Sequence, residues 1–290
     1  GKLAPMVVVA LVSGGGGPEM TCTAFGLAVN AANDRSGATI MLLADVQLDF
    51  PAHIISDVTL MSVGAHRITR GPGCAGDAMF VVLGTGTLRL VGGGGLVIDG
   101  RGVAGENNSI VFASPGGSTL TMDSGVTLTG AGGSAVKNYG TFTMNGGTIS
   151  GNRGNFGSGV SNGVNFTMNG GVISGNSALC NGGGVFNDGT FTLNNGTISG
   201  NSAVDFGGGV YNANAASTMH GGLISGNSAH SGGGVYNYHA FAMDGGSISG
   251  NEAQVWGDGV FNYGTFEMSG GALVEDEFFL DAATITVVDA

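Results

Sequence analysis

One motif recurs every 24 or 25 residues along the C-terminal half of the chain. Its most regular copies read GGGVFNDGTFTLNNGTISGN from residue 182 and GGGVYNYHAFAMDGGSISGN from residue 232. Self-similarity at a period of this length indicates a solenoid, because a unit this small buries its apolar face only by stacking on its neighbours. The valine of the motif occurs at Val136, Val160, Val185, Val210, Val235 and Val260.

Two columns of asparagine share this period. Stacked asparagines can hydrogen-bond along a solenoid and satisfy the backbone groups of its turns, so both columns are predicted to be structural. The first column, two residues after each valine, is Asn138, Asn162, Asn187, Asn212, Asn237 and Asn262. The second column, which ends in Asp276, is Asn152, Asn176, Asn201, Asn227 and Asn251.

Within a repeat, apolar residues alternate with small polar ones. In TFTMNGGTIS, residues 141–150, Phe142 and Met144 would point inward while the threonines point outward. A period of two indicates strands, and glycine and asparagine interrupt them after a few residues. Parallel pairing of equivalent strands then predicts an all-β, right-handed parallel β-helix of about ten coils, spaced by about 4.8 Å.

The pattern weakens towards the N-terminus. TAFGLAVNAAND, residues 23–34, has the apolar spacing of a short helix that would cap the first coil and protect its open edge. We therefore expect an N-terminal apolar strand with a glycine tether (1–17), a capping-helix region (18–36), irregular coils (37–131), regular 25-residue repeats (132–276) and C-terminal strands (277–290).

The repeats GGGVYN and GTFTMNGGTISGNSA, with the earlier block ATIMLLADVQL, resemble those of bacterial and archaeal surface adhesin-like β-helix proteins. They are also similar to the GGA-I and FxxN repeats of polymorphic outer-membrane proteins. The resemblance covers residues 25–288 and implies a secreted or surface-attached stalk, adhesin or filament. The residues that carry it are structural, so it specifies a fold more than an activity.

Charge is sparse and unevenly distributed. Residues 1–153 contain eight Lys and Arg against nine Asp and Glu, whereas residues 154–290 contain eleven acids and no Lys or Arg. An acidic half without cations repels phosphate, so nucleic acid is not an expected partner. It also offers no cleavage site to trypsin-like proteases, which suits an extracellular protein. No apolar stretch is long enough to span a membrane as a helix.

An enzyme acting on polysaccharide is the alternative function. Such an enzyme needs carboxylates gathered on one face, or acids beside a basic residue. The acids of the regular half are scattered over different repeat positions. The basic residues are in the irregular coils, where Asp99 and Arg101 flank a turn near Asp77. Those basic residues are Arg67, Arg70, Arg89 and Arg101.

Three metal-ligand types, Cys180, Asp205 and His230, recur 25 residues apart and should stack on one corner. Asn155 and Val255 occupy the same column, so a variable turn position is the competing interpretation, and we predict no cofactor. Three aromatic residues form the adjacent column. They are expected either to stack on a sugar or protein ligand, or to pack against a neighbouring loop. They are Phe156, Phe206 and Trp256.

The N-terminal strand suggests a route to self-assembly. Residues 5–12 are rich in valine and precede Gly14–Gly17, so this strand either pairs with the open end of a second copy or folds back on its own first coil. Its predicted assembly residues are Val7, Val8, Val9, Leu11 and Val12. Cys22 and Cys74 either form a disulfide, leaving Cys180 free, or all three are free thiols.

The sequence therefore predicts an extracellular structural protein. It would be a rigid, secreted or surface-attached rod that acts as an adhesin or as the subunit of a head-to-tail filament. The expected partners are a second copy of the chain, or a glycan or other ligand on a cell surface. The alternative is a β-helix protein that binds or degrades polysaccharide.

Overall fold

A computed structural model describes residues 8–22, 24–74, 76–105, 107–281 and 284–288. It confirms the predicted parallel β-helix with a short helix near the N-terminus. Before the first coil lie β1 (Ala10–Gly14), β2 (Met20–Cys22) and α1 (Phe25–Asn33). A 3-10 helix, Pro72–Cys74, lies within the second coil.

The first four coils contain three strands each. They are β3 (Ala38–Leu42), β4 (Val46–Leu48), β5 (Ala52–Ile54), β6 (Asp57–Ser62), β7 (His66–Arg70), β8 (Phe80–Val82), β9 (Thr87–Val91), β10 (Leu96–Asp99), β11 (Val111–Ala113), β12 (Thr119–Met122), β13 (Val126–Thr129) and β14 (Val136–Asn138).

Coils five to nine add a short fourth strand after the second. They contain β15 (Thr141–Met144), β16 (Thr148–Ser150), β17 (Arg153–Gly154), β18 (Val160–Asn162), β19 (Asn165–Met168), β20 (Val172–Ser174), β21 (Ser177–Ala178), β22 (Val185–Asn187), β23 (Thr190–Leu193), β24 (Thr197–Ser199), β25 (Ser202–Ala203), β26 (Val210–Asn212), β27 (Ala216–Met219), β28 (Leu223–Ser225), β29 (Ser228–Ser231), β30 (Val235–Asn237), β31 (Ala240–Met243), β32 (Ser247–Ser249), β33 (Glu252–Trp256) and β34 (Val260–Asn262). The final strands are β35 (Thr265–Ser269), β36 (Leu273–Val274), β37 (Phe278–Leu280) and β38 (Thr284–Val288).

Equivalent strands of successive coils form four sheets. Sheet A has thirteen strands and runs from β2 and β1 through β3 to β38, while sheet B has ten strands from β4 to β36. Sheet C has ten strands from β5 to β37, and sheet D has five, from β17 to β33. The repeated valine keeps its register in sheet C, where Val160 pairs with Val136 and Val185. One residue type therefore stacks on itself from coil to coil.

The core is a column of apolar side chains enclosed by sheets A, B and C. Phe166 stacks on Phe142 and on Phe191, with ring centroids 4.8 and 5.1 Å apart. Ser217 follows in the same column, and its buried hydroxyl donates to Asn212 Oδ1 at 2.7 Å. A polar residue is tolerated at this position because the neighbouring asparagine column supplies a partner.

The close approach of neighbouring coils explains the glycine-rich corner before each valine. A Cβ added to Gly208 would lie 2.4 Å from the carbonyl oxygen of Ser228 and 2.6 Å from that of Gly233. Two coils therefore approach each other here too closely for any side chain. The GGG run is required by this contact as well as by the turn, where Gly207 has a φ of +67°.

The N-terminal segment folds back on its own chain. Strand β1 pairs antiparallel with β2 on one edge and with β3 on the other. Both of its edges are thus occupied, as in the alternative in which this strand folds back on its own first coil. Val8, Val9, Leu11 and Val12 belong to this folded-back segment, whereas Val7 lies outside the described residues. Helix α1 covers the first coil with Phe25, Ala28, Val29 and Ala32 buried.

At the other end, β36, β37 and β38 are the terminal strands of sheets B, C and A. Leu273, Leu280, Val287 and Val288 are exposed there.

Cys22, Cys74 and Cys180 are free thiols. Burial raises the pKa of the Cys74 thiol to about 11, which keeps it protonated. None of the helices in the described part of the chain has the length and apolarity needed to cross a membrane.

Candidate ligand-binding face

The outer face of sheet C carries an aromatic column that the sequence analysis did not identify. In each Val-x-Asn segment the valine and asparagine point inward, so the middle residue points outward. Registered pairing then places these middle residues one above another. The column contains Phe186, Tyr211, Tyr236, Phe261 and Phe279. An aromatic residue at the same motif position in consecutive repeats was the signal available in the sequence.

The rings of this column stack almost continuously. Centroids are 5.2 Å apart from Phe186 to Tyr211, 5.4 Å from Tyr211 to Tyr236 and 4.6 Å from Tyr236 to Phe261. The last step, from Phe261 to Phe279, is 5.2 Å. Neighbouring rings cover one another's faces and hold one another in place, so the column is rigid; Phe261 is buried, and the other four rings are half-buried.

Phe156, Phe206 and Trp256, the aromatic residues singled out in the sequence, lie beside this column. Phe156 is 44 % exposed and Trp256 is 47 % exposed, while Phe206 is half-buried. Phe156 packs against Phe186 at 5.5 Å, Phe206 against Tyr236 at 4.6 Å and Trp256 against Phe279 at 5.7 Å. These residues therefore pack on the corner and remain accessible at the same time. Together the two groups define the aromatic face: Phe156, Phe186, Phe206, Tyr211, Tyr236, Trp256, Phe261 and Phe279.

The first asparagine column lies directly behind the aromatic face. Each Nδ2 donates to the Oδ1 of the next asparagine, as from Asn162 to Asn187 at 2.7 Å and from Asn212 to Asn237 at 2.7 Å. All six side chains, from Asn138 to Asn262, are fully buried. This chain of amides fixes the vertical spacing of the strands that carry the rings, so the face is rigid before any ligand binds.

The second asparagine column makes one more bond per residue. Asn176, for example, donates its backbone N–H and its Nδ2 to Asn201 Oδ1, at 3.0 and 2.9 Å, and its Nδ2 also reaches Ile149 O. The column ends at Asp276, which accepts from Asn251 and from the backbone of Gly250. A carboxylate is suitable at this position because the last residue of the column only accepts hydrogen bonds, and a carboxylate has only acceptor oxygens. A third, exposed column, missed in the sequence, runs through Asn145, Asn169 and Asn194.

Burial alters the ionisation of the aromatic face. It raises the pKa of Tyr236 to about 12, with smaller contributions from Tyr211, Asp281, Tyr238 and Tyr263. The pKa of Tyr211 is raised by the same main cause. Both phenols are therefore neutral at physiological pH and present an uncharged surface.

This shift makes the fold sensitive to strong alkali. The pKa of Tyr236 rises from 10.0 to about 12 on folding. As pH rises through this window, the unfolded chain loses the proton first, so the folded state should lose stability. Tyr236→Phe should remove part of this loss and delete the last-titrating phenol from an ultraviolet titration. A matched control is Tyr238→Phe, on an exposed tyrosine stacked on Tyr263; an equal effect of both variants would contradict the assignment.

The column of Cys180, Asp205 and His230, which the sequence left open as a metal site or a variable turn position, does not form a metal site in the described residues. In the described part of the chain, no group of three His, Cys, Asp or Glu side chains is placed to hold a metal ion. Asp205 and His230 line a groove of about 680 Å³ along sheet D, and Cys180 does not line it. The backbone of this column keeps its register, since the N–H of Asp205 donates to Cys180 O at 3.0 Å and Phe206 pairs with Ser231, but the three side chains do not converge on one point.

Of the four basic residues of the irregular coils, Arg67 and Arg101 meet at Asp99, and Arg70 and Arg89 lie elsewhere. Arg67 pairs with Asp99 at 2.6 Å and Arg89 with Asp123 at 2.7 Å, both on the surface. Arg70 is buried and donates to the carbonyls of Cys74, Asp77 and Ser109. Arg101 donates its backbone N–H to Asp99 Oδ1. Arg70 and Arg89 are thus engaged with different partners, away from the Asp99 and Arg101 turn.

Comparison with known proteins returns no relative: no protein-family model, no curated protein and no solved structure matches this chain. Its function has to be inferred from the geometry and chemistry of its own residues.

Proposed function

We propose that this protein is an extracellular rod that attaches to a surface glycan or to another cell-surface ligand through its aromatic face. The observation that carries the proposal is the ring column from Phe186 to Phe279, together with the accessible rings of Phe156 and Trp256. Monomeric proteins seldom expose a contiguous apolar surface without a use for it. The exposed rings of Phe156 and Trp256 suit sugars, whose C–H faces stack on rings, and apolar patches on proteins.

The rest of the molecule supports a scaffold role. Two buried amide columns and the stacked core make a stiff support that holds the face in one geometry. The absence of Lys and Arg after Arg153 removes the cleavage sites of trypsin-like proteases from the part that carries most of the face. Both properties suit a protein that works outside the cell.

Self-assembly is the less favoured version of the structural role. Head-to-tail addition by the N-terminal strand would require β1 to leave two partners, β2 and β3, with which it already pairs. An adhesive rod requires no such rearrangement. A carbohydrate-degrading activity has less support than binding, because Arg67 and Arg89 are each paired with a surface acid instead of being gathered at one cavity.

The chain has a built-in reporter for this proposal. Trp256 is the single tryptophan and lies on the aromatic face, so ligand binding there should shift and quench its fluorescence. Screening a glycan array, followed by fluorescence titration of each hit, gives the affinity directly. Phe206→Ala combined with Phe156→Ala should weaken binding by about 5- to 100-fold, since each aromatic contact is worth about 0.5–1.5 kcal/mol.

Phe50→Ala is the matched control for that test. Phe50 is the most exposed aromatic residue of the described chain at 75 %, and it lies in the first coil, remote in sequence from the face. Its loss should leave binding unchanged. Hits that quench Trp256 equally in the wild type and the double variant, or that bind with no change at Trp256, would contradict the proposed role of the face.

A further inference from the structure

Lys137 marks the start of the aromatic face. It lies on β14 in the outward column of sheet C, paired with Phe112 of the preceding coil and with Ser161 of the following one. The next member of the column is Phe186, which pairs with Ser161. Because Ser161 is small, the column has a gap between the Lys137 ammonium and the ring of Phe186.

Two cavities open on either side of Lys137. The smaller, about 230 Å³, lies towards the aromatic face, and the larger, about 400 Å³, lies towards the N-terminus. Lys137 and Tyr139 line both, so they form the wall between them. Tyr139 and Phe112 make an edge-to-face pair at 6.0 Å on one side, and Phe156 and Phe186 make a similar pair at 5.5 Å on the other.

Lys137 has no anionic partner in the described part of the chain. The four ion pairs found there involve other residues. Among the described residues, the lining of the smaller cavity contains no acid: besides Lys137 it is formed by Gly133, Ser134, Tyr139, Asn155, Phe156, Ser161 and Phe186. In the larger cavity, the other described titratable groups beside Lys137 are Asp77, His53 and Tyr139. An incoming anion is therefore attracted without opposition from the side of the smaller cavity.

A buried hydroxyl points to the same place. Ser109 is 1 % exposed, its Oγ has no hydrogen-bond partner among the described residues, and it lines the larger cavity. A buried polar group without a partner is costly, and a ligand hydroxyl in that cavity would provide one. Lys137 and Ser109 thus bring a cation and a hydroxyl to the larger cavity, beside the rings of Phe112 and Tyr139.

We propose that the two cavities around Lys137 bind adjacent units of an acidic polysaccharide, with the carboxylate of one sugar on the Lys137 ammonium and the sugar faces on Tyr139 and Phe156. This site gives the ligand class at the N-terminal end of the aromatic face, where Phe156 and Phe186 line the smaller cavity, and rests on the function proposed for that face. A hydrogen bond to a charged group adds about tenfold to a hundredfold in affinity. The carboxylate should therefore decide which polysaccharide binds.

The test uses matched pairs of sugars and matched variants of the intact chain. The probes are oligosaccharides of glucuronate, galacturonate and mannuronate, each beside its carboxyl-reduced neutral form, measured by calorimetry. The wild type should bind at least one acidic form about tenfold or more tightly than its neutral counterpart. Lys137→Met should abolish this preference, and Lys137→Arg should retain most of it.

Arg153→Met is the control for loss of one positive charge, because Arg153 is exposed on sheet D, outside the lining of both cavities. It should bind as the wild type does. Equal affinity for acidic and neutral sugars, or a preference that survives in Lys137→Met, would overturn the carboxylate site while leaving the aromatic face supported. Failure of the wild type to bind any sugar of the array or panel would overturn the carboxylate site and the glycan version of the proposed function, leaving a protein ligand for the aromatic face. A thermal melt of Lys137→Met should match the wild type, so loss of binding will not reflect misfolding.

Discussion

Asn201→Ala should lower the free energy of unfolding by about 3–5 kcal/mol, because the substitution leaves several buried groups without partners. Asn201 is 1 % exposed in the middle of the second asparagine column. Its Oδ1 accepts from the backbone N–H and the Nδ2 of Asn176, and its Nδ2 donates to Ile173 O and Asn227 Oδ1, all within 3.0 Å. Chemical denaturation followed by circular dichroism measures the loss.

The exposed asparagine column is the matched control. Asn169 makes the same kind of amide-to-amide bonds, accepting from Asn194 at 2.8 Å and donating to Asn145 at 3.0 Å, but it is exposed to water. Water replaces those bonds when the side chain is removed, so Asn169→Ala should cost less than about 1 kcal/mol. If the two variants lost equal stability, burial would not be the source of the effect.

The loss at Asn201 should also reach beyond its own coil. Solenoid stability is a sum of repeat terms and interfaces between neighbours, so a weakened interface divides the stack. Hydrogen exchange should therefore accelerate first in the coils next to Asn201, on β20, β24 and β28, and last in the coils near α1. Uniform acceleration along the chain would indicate instead that the rod unfolds as one unit.

Arg70→Met is expected to cost about 3–5 kcal/mol by removing one member of a buried polar network. Arg70 is 2 % exposed, and its guanidinium donates to three backbone carbonyls and, more weakly, to Asn108 Oδ1 at 3.4 Å. No described carboxylate forms an ion pair with it within 4.0 Å. Desolvation lowers the pKa of Arg70, and the carbonyls hold the charge in the interior.

These carbonyls belong to two loops that leave the regular coil pattern. Cys74 and Asp77 are in one loop and Ser109 follows the other, so Arg70 ties the loops together across the second and third coils. Limited proteolysis of Arg70→Met should therefore cut first between residues 71 and 109. Lys offers one nitrogen in place of the planar fork, so Arg70→Lys should recover only part of the stability.

Arg89→Met is the surface control for this substitution. Arg89 pairs with Asp123 at 2.7 Å and its side chain is 56 % exposed. Exposed pairs contribute about 0–1 kcal/mol, so the variant should unfold close to the wild type. Arg70→Met unfolding no earlier than Arg89→Met would contradict the structural role assigned to Arg70.

The Lys137 site adjoins two buried hydrogen-bond networks, the first asparagine column and the network around Arg70. Asn138 adjoins Lys137 and begins the first buried amide column, and Ser109 joins the cavity to the Arg70 network. The binding experiments on Lys137→Met are therefore best compared with variants that keep both networks intact. Lys137 itself makes no side-chain bond in the described chain, which is why its replacement should change binding without changing stability.

The repeat alone determined the architecture of the regular coils. Glycine before valine, asparagine two residues later and apolar residues at alternate positions allow one arrangement, in which equal residues stack and each amide bonds the next. Val136 to Val260 keep their register because a slip of one residue would turn every inward side chain to solvent. These are local rules repeated many times, so a single sequence shows them.

Tertiary structure decided the rest, where the outcome depends on the distance between segments far apart in sequence. The antiparallel pairing of β1, the burial of Arg70 between two irregular loops and the shift of register in sheet D all arise where the period fails. The aromatic face shows the same limit: alternation turned Tyr236 and Phe279 outward, but the turn geometry brought Phe206 beside Tyr236 and Trp256 beside Phe279. The repeat period specifies which residues stack along the rod. The conformation of the turns specifies which of these stacks contact one another.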